Sequence, residues 1–474
     1  MITWQQQWFG NIKGDILAGI VVGLALIPEA LAFAFIVGVD PRYALYASFT
    51  MAVLTAIFGG RPGMISAATG AMALVLVSLV ANHGVEYMLA ATILTGVIQW
   101  ILGVCGVAQL MKFVPNSVML GFVNALGIMI FMSQLPYLIG GAIPTYMYAI
   151  VTLLLVYIIP RFIKSIPAPL IAIILMTTIA IWSGVSLQTI GDLGTMPSTL
   201  PAFLLPDIPL TLETLFIILP YAFALSIVGL LESLLTAQVL DEMTDTESDK
   251  NKEARGQGIA NTVNGFFGGM AGCALIGQSI INVKSGGRGR LSTFVSGVFL
   301  LFLILVLGDA VARIPMPVLV GVMIMVSFTT FNWGSFRFLQ RAPRTESLVM
   351  LMTVLIILYT HNLAIGVVIG VLLSALFFVA NISKLTIERN GTIYRIHGPL
   401  FFASTTAFMN EMKKYPSDDC ILDFQDSALW DESAASTLWK WVTQCKARGV
   451  QVEVINLNER SSALYEKWNE EVGK

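Results

Sequence analysis

The sequence predicts an α-helical polytopic membrane protein, built as a 7+7 inverted repeat and followed by a small cytosolic α/β domain. First, the 474 residues are 56% hydrophobic and only 12% charged, whereas soluble domains are about 25% charged. Second, apolar runs of roughly 20 residues, each able to cross a ~30 Å hydrocarbon core, recur between residues 16 and 382. Third, charges and short alternating segments return from residue 383 onward.

The first repeat is expected within residues 1–190. Its lead-in, Met1 to Lys13, is amphipathic and carries no cleavage site, so it is not interpreted as a signal peptide. The predicted elements are six apolar spans and one interrupted segment, third in order: 16–37, 43–58, 61–82 (interrupted), 88–108, 117–139, 144–160 and 168–185.

The second repeat is expected within residues 210–382, after a Pro- and Gly-rich stretch. The third of its seven elements is again interrupted: 212–238, 256–271, 273–287 (interrupted), 290–308, 316–333, 346–361 and 364–382. Because each repeat has an odd number of elements, the second inserts upside down relative to the first. This is the plan of secondary transporters, whose substrate site lies where the two broken elements meet.

The tail, residues 383–474, is predicted to be a separate α/β domain. Strand-like alternation occurs at 385–387, 393–396, 420–424 and 450–455, and helical spacing occurs at 433–447. Ser433 is predicted to cap that helix. A domain of this size holds a modest core of its own.

The two interrupted segments point to a binding site. Gly268 to Arg290 is too short and polar for a span and too apolar for an ordinary loop, and Gly59 to Ala73 is a second such segment. Non-helical backbone persists at membrane depth only where protein buries it or where it lines a cavity.

Several motifs resemble the sulfate permease (SulP) family of anion transporters, whose core is followed by a STAS domain. The resembling segments cover nearly the whole chain in order: Asp15–Gly19 and Ile27–Ala34 in the first span, Gly256–Asn261 and Gly265–Gly269 in the ninth, Asn362–Gly370 in the last, and Gly398–Phe402 and Ile421–Phe424 in the tail.

The resemblance implies a transport domain of elements 1–4 and 8–11 and a gate domain of elements 5–7 and 12–14. It also implies that the anion sits between the N-termini of the two short helices. Elementary physics supports that position, because a helix N-terminus presents unpaired N–H donors and about half a positive charge. The candidate substrate-binding residues are Ser66, Ala67, Ala68, Thr69, Thr236, Leu275, Ile276, Gly277, Gln278 and Ser279.

Some of these residues have simpler interpretations. Ser66 or Thr69 could serve as an ordinary helix N-cap. At Gln278 the sequence departs from the family, in which a basic residue is common at this place; Gln donates hydrogen bonds but brings no charge. Lys284 could face the site, but Lys284, Arg288 and Arg290 are all interpreted as interfacial anchors of the next span.

Glu232 is the strongest candidate for a cation-coupling residue. A carboxylate at membrane depth costs ~2.5 kcal/mol or more and is a functional hypothesis by default. Thr236 lies one helical turn further on the same face. The resemblance implies a sodium and substrate site at these positions, because bicarbonate-transporting members of the family carry an acid and a Thr there. The alternative is that Glu232 lies near the cytosolic end and reaches water.

Glu29 is a second candidate for cation coupling. It follows Pro28 in the first span, where the family more often has Gln. The alternative is a structural partner of the proline kink. Carboxylates beside an anion repel it unless each is protonated or has a cation beside it, which favours uptake coupled to Na⁺ or H⁺.

Orientation follows from the resemblance, which implies cytosolic termini in a bacterial-type plasma (inner) membrane. With fourteen elements, loops after even-numbered elements are cytosolic. The basic groups Lys13, Lys112, Arg161, Lys164 and the cluster 337–344 all fall on that side, as the positive-inside rule requires. We also expect a homodimer in the lipid bilayer.

Nothing in the sequence indicates catalysis or nucleic-acid binding. The four cysteines, Cys105, Cys273, Cys420 and Cys445, are scattered and interpreted as free thiols. No nucleophile–base pair, phosphate-binding motif or basic block stands out. We therefore expect no enzyme and no cofactor, with Na⁺ at Glu232 and Thr236 as a possible coupling ion.

The sequence therefore predicts a secondary active transporter of a small inorganic anion, bicarbonate or sulfate, working by alternating access. One alternative is a nucleobase–cation symporter of the same fold, against which Gln278 and the STAS-like tail count. Another is an anion sensor that signals through its tail.

Overall fold

The computed structural model describes residues 3–106, 109, 114–163, 166–413 and 419–472. The chain divides into two compact units, Met1–Gly370 and Val371–Lys474. Lys112 and Lys164, two of the residues used to predict orientation, lie outside the described residues.

The first half has the predicted seven elements, the third of which is a short strand followed by a helix. An amphipathic helix precedes them and a single turn follows. The elements are α1 (Trp4–Phe9), α2 (Ile12–Val37), α3 (Pro41–Phe58), β1 (Ser66–Ala68) with α4 (Gly70–His83), α5 (Val85–Val104), α6 (Asn116–Gln134), α7 (Ile143–Ile158), α8 (Ala168–Ser183) and α9 (Ile190–Leu193).

The second half repeats this order. Its elements are α10 (Leu212–Thr244), α11 (Lys250–Phe266), β2 (Gly272–Ala274) with α12 (Ile276–Lys284), α13 (Arg290–Ala312), α14 (Met316–Thr330), α15 (Ser335–Arg341), α16 (Arg344–Thr360) and α17 (Leu363–Ile382). The predicted fold class, a helical multi-span protein with two interrupted elements, is confirmed. Among the described residues, eight helices are long and apolar enough to cross a membrane.

Several boundaries differ from their predictions by four to six residues, most of all around the loop between α10 and α11, where α10 extends to Thr244 instead of residue 238. Helix α11 begins at Lys250, ahead of the predicted start at residue 256, because Asp249 caps it by accepting a hydrogen bond from the backbone N–H of Lys252. The first turn is too charged to be recognised as part of an apolar span.

The helices of the first unit pack as two bundles. The first bundle contains both interrupted elements, and its members are α2, α3, α4, α5, α10, α11, α12 and α13; the second contains α6, α7, α8, α14 and α16. In the first bundle α5 and α11 approach at glycines. A Cβ atom on Gly96 would lie 2.3 Å from the backbone nitrogen of Thr262, and one on Gly258 would lie 2.5 Å from that of Trp100.

The second unit contains an α/β domain with a four-stranded sheet in the order β3-β4-β5-β6, antiparallel in the first pair and parallel in the others. Phe408 and Leu438 are among the side chains buried in its core. Asp431, not Ser433, caps α19, so the prediction for Ser433 is wrong. The elements are β3 (Thr386–Asn390), β4 (Ile393–His397), α18 (Thr405–Met412), β5 (Cys420–Asp423), α19 (Glu432–Ala447), β6 (Val452–Ile455) and α20 (Glu459–Val472).

Arg290 is not the interfacial anchor that the sequence predicts. It is only 2% exposed. Its guanidinium donates to the carbonyl oxygens of Ala56 and Gly59, each at 2.8 Å, and to the side chain of Gln7. Carbonyl groups left free at the end of α3 need donors, and Arg290 supplies them. This residue therefore ties the start of α13 to the end of α3.

Candidate anion and coupling-ion site

The two interrupted elements meet as an antiparallel strand pair. Ser66 lies opposite Ala274, Ala67 opposite Cys273, and Ala68 opposite Gly272. Each strand runs directly into its short helix. Because the strands are antiparallel, α4 begins at one end of the pair and α12 begins at the other. A strand of three residues is about 10 Å long, so the N-termini of the two helices face each other across this short distance.

The two helix N-termini differ in how their first N–H groups are satisfied. Thr69 is the N-cap of α4, and its hydroxyl accepts a hydrogen bond from the N–H of Met72. Leu275 precedes α12, and no side chain caps that helix. A methyl group added at Gly277 would meet no atom within 4 Å, so the first turn of α12 borders open space. Exposed N–H groups in this position attract anions.

Glu29 and Gln278 are joined across the site. The Nε2 group of Gln278 donates to Oε1 of Glu29 at 2.6 Å. The other amide atom, Oε1 of Gln278, is buried without a hydrogen-bond partner. This contact links α2, at the residue after Pro28, to the first turn of α12. In this structure the Gln278 amide is therefore held by a carboxylate.

Glu232 lies inside the first bundle and is 7% exposed. Its Oε2 atom accepts a hydrogen bond from the thiol of Cys273 at 3.0 Å, and that sulfur lies 3.1 Å from the hydroxyl oxygen of Thr69. The carboxylate is thus connected through one thiol to the N-cap of α4. Sequence reasoning missed Cys273; its position in an interrupted segment was the available signal.

Thr236 and Ser233 connect α10 to its surroundings in different ways. Thr236 is buried, and its hydroxyl donates to the backbone carbonyl of Glu232 at 2.7 Å. The hydroxyl of Ser233 accepts from the backbone N–H of Ala274 at 3.1 Å. Within the described chain no group of three or more His, Cys, Asp or Glu side chains could hold a metal ion. A sodium site here would therefore draw on hydroxyl and backbone oxygens as well.

A buried polar stripe on α11 supports the strand pair from behind. Glu253, Gln257, Asn261 and Asn264 follow one another at helical spacing and are all buried. Gln257 donates to the Ser66 hydroxyl at 2.7 Å. Asn261 forms two 2.9 Å hydrogen bonds to the backbone of Gly272, one to its N–H and one to its carbonyl. Sequence reasoning missed this stripe, although four polar residues at helical spacing could have revealed it.

The remaining predicted residues occupy the strands and the start of α12. Ala67 and Ala68 are buried in β1, and Leu275 precedes α12. The hydroxyl of Ser279 accepts from the N–H of Ile65 at 2.9 Å, inside the bundle. Of the predicted set, the residues whose side chains join separate elements at the strand pair are Ser66, Thr69, Ser279, Glu232, Gln278 and Glu29.

Two bundles, two opposed broken elements and a small α/β domain together define a membrane carrier of the inverted-repeat type. The chain belongs to the sulfate permease family, which matches residues 12–152 and 141–353. A STAS domain matches residues 381–469. The protein is therefore a multi-pass anion transporter with a C-terminal STAS domain, and not an enzyme.

Two named relatives and one solved structure are similar to this chain. The chain is 56% identical to the Bacillus subtilis (strain 168) protein named "Putative sulfate transporter YbaR", over 98% of each chain. It is 31% identical to "Bicarbonate transporter BicA" of Picosynechococcus sp. (strain ATCC 27264 / PCC 7002 / PR-6), over 80% of this chain and 71% of the relative. The structure of the murine Slc26a9 anion transporter has the same fold, with a TM-score of 0.84 at 18% identity over 97% and 88% of the two chains.

Proposed function

We propose that this protein is a cation-coupled carrier that imports sulfate. The observation that carries the proposal is the strand pair, which directs two helix N-termini at one place while Glu29 and Glu232 flank it. The similarity to YbaR, whose printed name specifies sulfate, supports this choice of anion. Bicarbonate is the second candidate, because relatives named as bicarbonate transporters match most of the chain.

The helix ends would bind the anion without a basic side chain. Backbone N–H groups and the partial positive charge of each N-terminus provide donors and electrostatic attraction. Gln278 contributes a neutral amide where a basic side chain would bring a positive charge, and its hydrogen bond to Glu29 keeps that amide near the N-terminus of α12. The site therefore discriminates by hydrogen bonds and size more than by net charge.

The two carboxylates make a coupling cation necessary. A charged Glu232 or Glu29 beside the bound anion is repulsive, and a proton or Na⁺ at the carboxylate removes or compensates the charge. Glu232 is the better candidate because Cys273 connects it directly to Thr69 at the start of α4. Thr236, one turn away, offers a hydroxyl oxygen to a bound Na⁺. Occupancy by cation and anion would then be mutually dependent.

Transport would proceed by movement of the first bundle against the second. Contacts between the bundles are made by α2 with α8 and α14 and by α4 with α6, so these faces would slide or rock past each other. The first bundle carries both short helices, and the site moves with it. We propose that both termini are cytosolic, that the protein resides in the plasma membrane of a bacterium, and that it forms a homodimer.

Uptake into proteoliposomes tests the proposed substrate and coupling. Purified protein would be supplied with labelled sulfate, bicarbonate or uracil under imposed Na⁺ or pH gradients. We expect sulfate to accumulate and one of the two gradients to drive it. Accumulation of uracil in place of both anions would overturn the proposal, as would anion binding without transport, which would indicate a sensor.

Replacing Gln278 by Arg tests whether this side chain faces the anion. The guanidinium would lie beside Glu29 and pair with it. We expect the apparent KM for sulfate to change by about tenfold, or ~1.4 kcal/mol, and the dependence on the cation gradient to weaken. Gln238→Arg, on the exposed side of α10, is the control. A Gln278→Arg protein identical to the parent in both properties would place this side chain outside the site.

Removing Ser383 to Lys474 tests the independence of the STAS domain. The domain has its own buried core, and the strand pair lies wholly in the first unit. We therefore expect the truncated protein to keep measurable sulfate uptake in proteoliposomes. A truncated protein that folds and binds sulfate but never transports it would make the domain part of the transport cycle.

A further inference from the structure

Gln99 on α5 is a buried polar residue that the proposed mechanism does not yet use. Its side chain is 0% exposed. The Oε1 atom accepts a hydrogen bond from Nδ2 of Asn261 at 2.9 Å, whereas Nε2 has no hydrogen-bond partner among the residues that the structure describes. Leaving a buried donor unsatisfied costs about 1–3 kcal/mol, so this amide group requires an explanation.

The direction of the Gln99 amide is fixed by the backbone of β2. Asn261 must direct its oxygen at the N–H of Gly272 and its NH₂ group at the carbonyl of Gly272. The same NH₂ group also meets Gln99, which therefore presents its oxygen to Asn261. An exchanged orientation of Gln99 would set two NH₂ groups against each other. Its own NH₂ group is thus turned away from α11.

The unpartnered NH₂ group faces α10 next to the coupling carboxylate. A Cβ atom on Gly229 would lie 2.8 Å from Nε2 of Gln99 and 3.5 Å from Cβ of Cys273. Gly229 is one helical turn before Glu232, and a helical side chain covers the turn that precedes it. Cys273 in turn donates to Glu232. Gln99, Cys273 and Glu232 therefore lie around one place next to Gly229, where the methyl end of Met72 also packs.

We propose that Gln99 is a positioning residue for Glu232, whose charged carboxylate would accept a hydrogen bond from the Gln99 N–H donor that has no partner in the described part of this structure. The proposal rests on the proposed coupling function of Glu232. Hydrogen bonds to an ionised carboxylate are stronger than those between neutral groups and favour its charged form. The hydrogen bonds between Gly272 and Asn261 and between Asn261 and Gln99 would also link the position of β2 to the charge of Glu232. Since β2 is part of the anion site, the position of that site would depend on the same charge.

Three other titratable groups of the first bundle have contacts of their own. Cys273 of β2 touches Glu232 directly. Glu253 of α11 is held by the backbone N–H groups of Gly60 and Arg61. Glu29 of α2 is held by Gln278 of α12.

Gln99→Met tests the proposal, because it removes the amide and keeps the length of the side chain. Sulfate uptake by the full-length protein would be measured against cation concentration. We expect the concentration for half-maximal uptake to shift about tenfold, upward if the coupling ion is Na⁺ and downward if it is H⁺. A merely structural role would lower the maximal rate without this shift. Gln134→Met, a buried glutamine on α6 in the second bundle, should leave the value unchanged.

Gly229→Ala perturbs the surroundings of the Gln99 amide from the side of α10 and leaves the side chain of Asn261 unchanged. Its methyl group would meet Cε of Met72 as well as the Gln99 amide, and both flexible side chains would have to move. The shift should have the same direction, and this variant decides the matter if Gln99→Met does not fold. If both variants fold and keep the parental cation concentration for half-maximal uptake, while Glu232→Gln is uncoupled, the role of Gln99 is overturned and the proposed coupling role of Glu232 stands. A Glu232→Gln protein that stays coupled would overturn both this role and the proposed coupling site.

Discussion

Glu232→Gln should abolish gradient-driven accumulation of sulfate while exchange of sulfate across the membrane continues. The substitution keeps the size of the side chain and removes the charge that a cation would neutralise. In proteoliposomes with a tenfold inward gradient of the coupling ion, equivalent to ~1.4 kcal/mol, the parent should concentrate sulfate. The variant should reach only equal concentrations on both sides.

The matched control for this experiment is Glu242→Gln. Glu242 lies on the same helix but is exposed, where it accepts a hydrogen bond from Gln238. Its replacement should leave accumulation unchanged. If the Glu232→Gln protein instead accumulates sulfate in proportion to the gradient, Glu232 is structural and the coupling residue must be sought at Glu29.

Gly258→Ala should strongly destabilise the first bundle. The added methyl group would lie 2.5 Å from the backbone nitrogen of Trp100 and 2.7 Å from the carbonyl oxygen of Gly96. Backbone atoms cannot rotate away, so α5 and α11 would have to separate. We expect a loss of about 3 kcal/mol of stability, read as a lower midpoint of thermal unfolding in detergent.

Gly308→Ala provides the control for the packing argument. Gly308 also lies within a helix, α13, but a Cβ atom there would come no closer than 3.8 Å to a neighbouring atom. Its replacement should leave the midpoint unchanged or raise it slightly. A Gly258→Ala protein as stable as the parent would show that α5 and α11 have room to adjust.

Hydropathy predicted the individual spans because lipid imposes one rule on every span, whereas the grouping of the spans into two domains was implied by the family resemblance. Each apolar run must be long enough to cross the hydrocarbon core, and a polar or glycine-rich interruption must be protected by protein. The order of the elements and the two interrupted segments follow from these constraints. The charged beginning of α11 falls outside them, since Glu253 and Asn261 are covered by neighbouring helices and not by lipid.

The contacts of the site could be predicted only in part. Glu232 and Glu29 are conspicuous because charges at membrane depth are costly. The bond between Gln278 and Glu29 joins residues that are 249 positions apart, and no local spacing indicates it. Cys273 and Gln99 are similar, because ordinary polar residues become informative only when their partners, Glu232 and Asn261, are known.

The polar stripe on α11 also affects how the protein is made. The helix carries Lys250, Lys252, Glu253 and Arg255 within its first two turns, followed by Gln and Asn. Moving such a segment alone from the translocon into lipid is unfavourable, because each charged or amide group is penalised there. Its partners on α3 and α5 are synthesised well before it, and α10 immediately before it. We therefore expect α11 to enter the membrane only together with α10 and against an already inserted first repeat, which makes biogenesis of the second half dependent on completion of the first.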